Sequence, residues 1–253
     1  MPNTKQAVFI GRVETVLSSS RLAAYAVSPS EQEWERFARY AWNVAIGEAF
    51  YPLLNHLEII LRNRVYELGA AAYPVGRVHH IRTWLDADPT HLTAFAVGDI
   101  AKAKRKLFGV DRRTGALITP RRQYTGGDLV ATLGFGFWTS LFTTHYHFQS
   151  GRDRRLWPHG LADVFPYAPT KLSLGAISRR LNDLRHLRNR IFHHEPVWQR
   201  ANLAADRDDI IELLEWMSPE VARVIRGTER LTEVIAPDFR RRLRVRIYRE
   251  CRR

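Results

Sequence analysis

Ile177, Leu181, Leu184, Leu187 and Ile191 recur at intervals of four, three, three and four residues. Each helical residue turns about 100°, so this spacing lines one face of an α-helix. Arg179, Arg180, Arg185, Arg188 and Arg190 crowd the other sides. The pattern predicts an amphipathic helix over about residues 171–195, and its apolar stripe demands partner elements to cover it. Apolar spacing is helical along nearly the whole chain, and alternating strand patterns are absent. The expected class is therefore all-α.

Further helices are predicted over 4–18, 31–47, 50–70 and 90–107. Ser30 reads as an N-cap, with Glu33 completing a capping box. Glu58 and Arg62 stand four apart on the 50–70 helix, a spacing that suits an ion pair or a supporting role near a site. The 90–107 helix ends in Lys102, Lys104, Arg105 and Lys106, and a loop from Gly109 to Gly127 carries Arg112, Arg113, Arg121 and Arg122. These arginines suit contacts to an RNA backbone, and equally a solvated surface loop. Asp128 is expected to cap an apolar helix carrying Leu129, Phe135, Phe137, Trp138 and Phe142. Core packing fits these aromatics better than base stacking does. Gly134 and Gly136 would allow close backbone approach there. His145 and His147 lack carboxylate or cysteine ligands at a recognised zinc spacing. Prolines 158, 166 and 169 punctuate an irregular stretch from about 150 to 170, helices follow over 206–217 and 219–232, and the tail after Pro237 is rich in arginine. No low-complexity linker divides the chain, so residues 1–253 read as a single domain.

The run Leu187-Arg188-Asn189-Arg190-Ile191-Phe192-His193-His194-Glu195-Pro196 closes the amphipathic helix. A residue before proline disfavours helical dihedrals, so Glu195-Pro196 marks the stop. Asn189 and His193 stack on one face as i and i+4 neighbours. Arg188 lies about 140° around the axis from His193, yet its long side chain can swing to the same edge. Cutting RNA without a metal needs a base for the ribose 2′-hydroxyl, an acid for the leaving 5′-oxygen and a cation for the phosphoryl oxygens. Histidine titrates near neutrality and suits proton transfer. Arginine's planar fork suits the phosphate, and Asn189 can orient either partner. The same residues also suit a charged helix end that serves stability alone.

That run, with its trailing His-Glu-Pro, resembles the C-terminal signature of the Abi-like (abortive infection) family in the HEPN superfamily. Leu57-Glu58 to Arg62-Asn63, Phe135-Gly136-Phe137-Trp138 and Trp216-Met217-Ser218-Pro219 resemble further segments of that family. The resemblance implies a HEPN-type helical bundle with additional N-terminal and C-terminal helices. It implies a homodimer with its active site near the dimer contact, and a metal-independent endoribonuclease of phage defence or a toxin–antitoxin pair. Arg188, Asn189 and His193 match the family's catalytic positions, with His194 as the adjacent alternative. Arg185 and Arg190 are expected to contact RNA, and Glu58, Arg62 and Asn63 to stand behind the site. No cofactor is implied. A non-catalytic RNA-binding regulator, or an interaction module held by an antitoxin protein or RNA, is the competing reading. Leu61-Arg62-Asn63-Arg64-Val65-Tyr66 echoes Leu187 to Phe192 without the histidines, which points to chance or a shared packing role.

The formal net charge of +13 favours a polyanionic partner such as RNA. A hydrophobic fraction of 45% predicts a folded core. No uninterrupted apolar run of membrane-spanning length is apparent, and the N-terminus lacks a signal-peptide pattern. Cys251 is the only cysteine, which leaves no internal disulfide. A cytoplasmic protein with no membrane partner is expected.

Overall fold

Pro52 stands inside the longest helix of the protein. Proline removes one backbone donor and crowds the carbonyl four residues before it; the sequence predicts two helices here, over 31–47 and 50–70, with Pro52 near the start of the second. In the computed structural model they form one helix, α3 (Glu33–Ala72). Ala49, Phe50, Leu53 and Leu54 are buried around the proline. Burying several large apolar side chains contributes roughly 1.5–3 kcal/mol each, which offsets a proline penalty of about 3 kcal/mol.

The structure describes residues 4–73, 75–78, 81–86, 91–118, 124–147 and 156–253. The protein is mostly helical. Besides α3 it has α1 (Thr4–Leu17), α2 (Ser19–Ala23), α4 (Ala94–Phe108), α5 (Gly126–Thr132), α6 (Phe135–Ser140) and α7 (Gly160–Val164). The C-terminal part adds α8 (Leu174–Phe192), α9 (Leu203–Met217), α10 (Pro219–Thr228), α11 (Leu231–Ile235) and α12 (Pro237–Glu250). One antiparallel hairpin, β1 (Gly76–Val78) with β2 (Ile81–Thr83), places Gly76 opposite Thr83 and Val78 opposite Ile81. Strands of three residues are too short to show the alternation that reveals a strand in sequence.

The chain forms two compact units, each assembled from separated segments. One comprises residues 1–55, 186–212 and 222–253, the other 56–185 and 213–221. Such interleaving leaves no linker for composition to reveal. Helix α3 is the one helix among the described residues long and apolar enough to cross a membrane by length and composition. Its Ile46, Phe50, Leu53, Leu57, Leu61 and Val65 are fully buried inside the protein, as expected for a core helix.

In the first unit the arginine-rich tail is a helix, with Pro237 in its first turn, where a missing donor costs nothing. Arg240 lies 4.9 Å from the Trp42 ring and Arg244 5.4 Å from Trp34. The Trp42 indole donates to the Val234 carbonyl at 2.8 Å. The expected Ser30 capping box does not form, because α3 starts only at Glu33. Ser30 instead bonds the Ser28 hydroxyl. The turn is organised by Glu31, which accepts from the Val27 N–H at 3.0 Å and from Arg36 at 3.1 Å, and pairs with Arg39. Burial pushes the Glu31 carboxyl upward, but the bonds from Val27, Arg39 and Arg36 outweigh it and hold the pKa below the ordinary carboxylate value. A depressed folded pKa adds stability that is fully present above the unfolded value of about 4.3 and is lost as pH falls through the folded value. Glu31→Gln should therefore be less stable than wild type at neutral pH. Denaturation series down to about pH 3 should show that gap closing in acid.

In the second unit the expected helix over 129–142 is two short helices, α5 and α6, parted at Leu133-Gly134. Thr125 is the N-cap, and Asp128 is its capping-box partner at the third helical position rather than the cap itself. Phe135, Phe137, Trp138, Leu141 and Phe142 are buried, so the aromatics serve the core. Trp157 donates to the Leu141 carbonyl and Trp84 to the Tyr66 carbonyl, which satisfies two buried indoles. Close backbone approach occurs at other glycines than those expected. A Cβ on Gly69 would lie 2.3 Å from the Trp84 ring, whereas one on Gly134 would meet nothing within 4 Å. In the 109–127 loop, Val110 and Leu117 form a bridge, and Asp111 accepts from the backbone of Arg113 and Thr114. Arg64 donates to the Met217 carbonyl at the end of α9, at 2.8 Å.

Candidate functional site

Helix α8 enters the first unit at His186. Leu187 is fully buried there, and the last helical bond joins the His193 N–H to the Asn189 carbonyl at 2.9 Å. The helix then closes with a left-handed cap. His194 has φ 58, its N–H donates to the Ile191 carbonyl at 3.0 Å, and the Glu195 N–H donates to the Arg190 carbonyl at 2.8 Å. These two bonds satisfy carbonyls that a helix end otherwise leaves open. Glycine normally fills this position because a Cβ is disfavoured in left-handed backbone.

The exit segment is held by three further contacts. Arg190 donates to the Pro196 carbonyl and lies 3.4 Å from the Glu195 carboxylate. Arg21, on α2, donates to the His194 carbonyl at 2.8 Å. The buried Asn43 side chain, on α3, accepts from the Val197 and Trp198 N–H groups at 2.7 and 3.1 Å. The two histidines are thus carried on a backbone fixed from several elements, while both side chains are exposed.

Arg188 and Asn189 are half-buried beside them. The Arg188 guanidinium lies 4.2 Å from the Phe192 ring, and Phe192 stacks on Tyr51 at 5.9 Å with 27° between the planes. A groove of about 770 Å³ opens next to this ladder, with Arg21, Tyr40, Glu48, Tyr51, Phe192 and His194 among its walls. His194, rather than His193, lines the groove. Tyr51, Glu48 and Arg21 carried no signal in the sequence, because their partners at the helix end are distant in the chain.

Several other expected residues have different surroundings. Arg190 is engaged in the helix cap, which occupies the guanidinium that was expected to reach RNA. Arg185 belongs to the second unit and donates to Asn182 at 2.6 Å. Arg112 and Arg113 are exposed at the Asp111 turn, and Arg121 and Arg122 lie outside the described residues. Glu58, Arg62 and Asn63 belong to the second unit. The Arg62 Nε is buried and donates to no acceptor among the described residues. The internal echo has a packing role in common: Arg64 and Arg190, its equivalent arginines, each hold a backbone carbonyl. Among the described residues no group of three or more His, Cys, Asp or Glu is arranged to hold a metal.

The left-handed His194 makes a direct prediction. Relief of the Cβ penalty should make His194→Gly more stable by about 1 kcal/mol. Chemical denaturation midpoints check this, and a destabilised variant would show that the imidazole itself supports the fold. No protein-family model matches the chain, and no curated protein or solved structure matches it either.

Proposed function

We propose that this protein is a metal-independent endoribonuclease that works as a homodimer in bacterial anti-phage or toxin–antitoxin defence. The observation that carries the reading is the end of α8. There Arg188, Asn189 and His193 share one partly open helix terminus whose backbone is pinned by Asn43 and Arg21. In this mechanism His193 takes the proton from a ribose 2′-hydroxyl. The 2′-oxygen attacks phosphorus, and the bond from phosphorus to the 5′-oxygen breaks. The leaving oxygen receives a proton from a second imidazole, supplied by His194 or by His193 of a second protomer. Arg188 neutralises the charge that builds on the phosphoryl oxygens, and Asn189 orients the phosphate or the imidazole. The products are a 2′,3′-cyclic phosphate and a 5′-hydroxyl.

The net charge of +13 supports RNA as the substrate. An antitoxin protein or RNA would restrain the activity. A second reading, an RNA-binding regulator that cuts nothing, is favoured by the stacking of Arg188 on Phe192, which can serve as a purely structural contact. Incubation of purified protein with bacterial RNA in EDTA separates the two. Fragments ending in cyclic phosphate support the nuclease. RNA that shifts in a gel yet stays whole supports the regulator.

A further inference from the structure

The second unit holds a cavity of about 690 Å³ that the nuclease mechanism does not use. One wall is a stripe of α4, where Phe95, Asp99, Lys102 and Lys106 recur on one face. At 1.5 Å per residue the stripe runs about 16 Å from end to end. Helix α8 contributes Ser178, Arg179, Asn182 and Arg185 to the lining, and the α5–α6 junction contributes Leu133, Gly134 and Gly136.

The charge of the lining is one-sided. Lys102, Lys106, Arg179 and Arg185 face the cavity against Asp99 alone, and Asp99 already binds Lys102 at 3.0 Å. Lys106 and Arg179 are exposed and make no ion pair among the described residues. Ser178 and Thr143 add hydroxyl groups. Such a lining is suited to an anion with several acceptor oxygens.

Gly134 is the N-cap of α6, and sterics require a glycine at neither Gly134 nor Gly136. Gly134 has φ −79 and ψ 170, an ordinary extended conformation, and a Cβ there would meet nothing within 4 Å. A Cβ on Gly136 would make only an ordinary contact, 3.8 Å from Arg185. Their missing side chains keep this wall of the cavity open. At one end of the stripe Phe95 is 63% exposed, a large apolar ring held toward solvent.

We infer that this cavity binds a nucleotide, with its phosphates on Lys106, Arg179 and the Ser178 hydroxyl and its base against Phe95. The length of the α4 stripe separates base from phosphate by more than a lone phosphate ion would fill. The site's volume falls within the range of small-ligand pockets, roughly 300–1,000 Å³. The ligand's chemistry is shared by a free nucleoside polyphosphate and by a nucleotide within an RNA strand. The inference stands whether or not the protein cuts RNA.

Equilibrium titration of the full chain tests it, with ATP, inorganic phosphate and a short 2′-O-methylated oligoribonucleotide as probes. Saturable binding of ATP or of the oligonucleotide, well above that of phosphate alone, is expected. The double change Lys106→Gln with Arg179→Gln should weaken it about tenfold or more, as loss of charge-assisted bonds implies. Gly134→Leu should weaken it comparably with every charge retained. Arg12→Gln with Arg223→Gln, which removes two exposed cations of the first unit, should change it by less than about twofold. Thermal melts verify that each variant folds. Tighter binding of the oligonucleotide than of ATP identifies a strand as the source, and the reverse order a free nucleotide. No saturable binding of either probe at millimolar concentration overturns the inference. So does equal weakening by the control pair, or a Gly134→Leu variant that binds like wild type.

Discussion

His193→Ala should lower RNA cleavage by about 10²–10⁴-fold, the usual worth of a positioned general acid or base. RNA binding should stay within about twofold of wild type, because phosphate neutralisation by arginine and lysine supplies most of that affinity. The fold should tolerate the change. The His193 side chain is exposed, and its backbone N–H keeps the bond to Asn189. Unfolding midpoints should therefore coincide. The companion variant His194→Ala distinguishes the two imidazoles. His194 lines the groove beside Tyr51 and Phe192, and it occupies a left-handed position where glycine would be easier. A strained residue retained at a site is a reason to look for a role in chemistry. If His193→Ala cuts RNA at the wild-type rate and His194→Ala does not, the proton-transfer group is His194. If both cut normally, the nuclease reading falls.

Helix α8 was legible because five apolar residues repeat at helical spacing and Glu195-Pro196 ends the run. Its end at Phe192 and the turn at His193-His194 agree with that pattern. The form of the cap was not legible, since a histidine stands where the left-handed backbone would call for glycine. The continuity of α3 between the expected 31–47 and 50–70 helices was not legible, although Ala49, Phe50, Leu53 and Leu54 beside Pro52 are all buried. The hairpin at 76–83 was too short to alternate, and the broken α5–α6 segment reads in sequence like one apolar helix. At the candidate site, Arg188, Asn189 and the histidines were visible as a motif. Arg21, Tyr51 and Asn43 were not, because each meets the helix end across a long stretch of chain.

Asn43 carries the second large expectation. Its side-chain oxygen is the shared acceptor for the Val197 and Trp198 N–H groups. Only 8% of the residue is exposed, so water cannot readily replace it. Asn43→Ala strands two donors, and a buried unsatisfied group costs about 1–3 kcal/mol, so the variant should lose roughly 2–4 kcal/mol of stability. Asn43→Asp keeps an acceptor in place and should retain most of it near neutral pH. The functional consequence follows from position. Val197 comes directly after the His193-to-Pro196 segment, so its release frees one of the contacts that hold the histidines. Cleavage by the alanine variant, measured at a temperature where it remains folded, should fall mainly in kcat, since phosphate contacts that govern binding lie elsewhere. Amide exchange at Val197 and Trp198 should accelerate in the same variant. A stability change below about 0.5 kcal/mol, the size typical of an ordinary surface substitution, would show that Asn43 does not anchor this segment and would remove it from the account of the site.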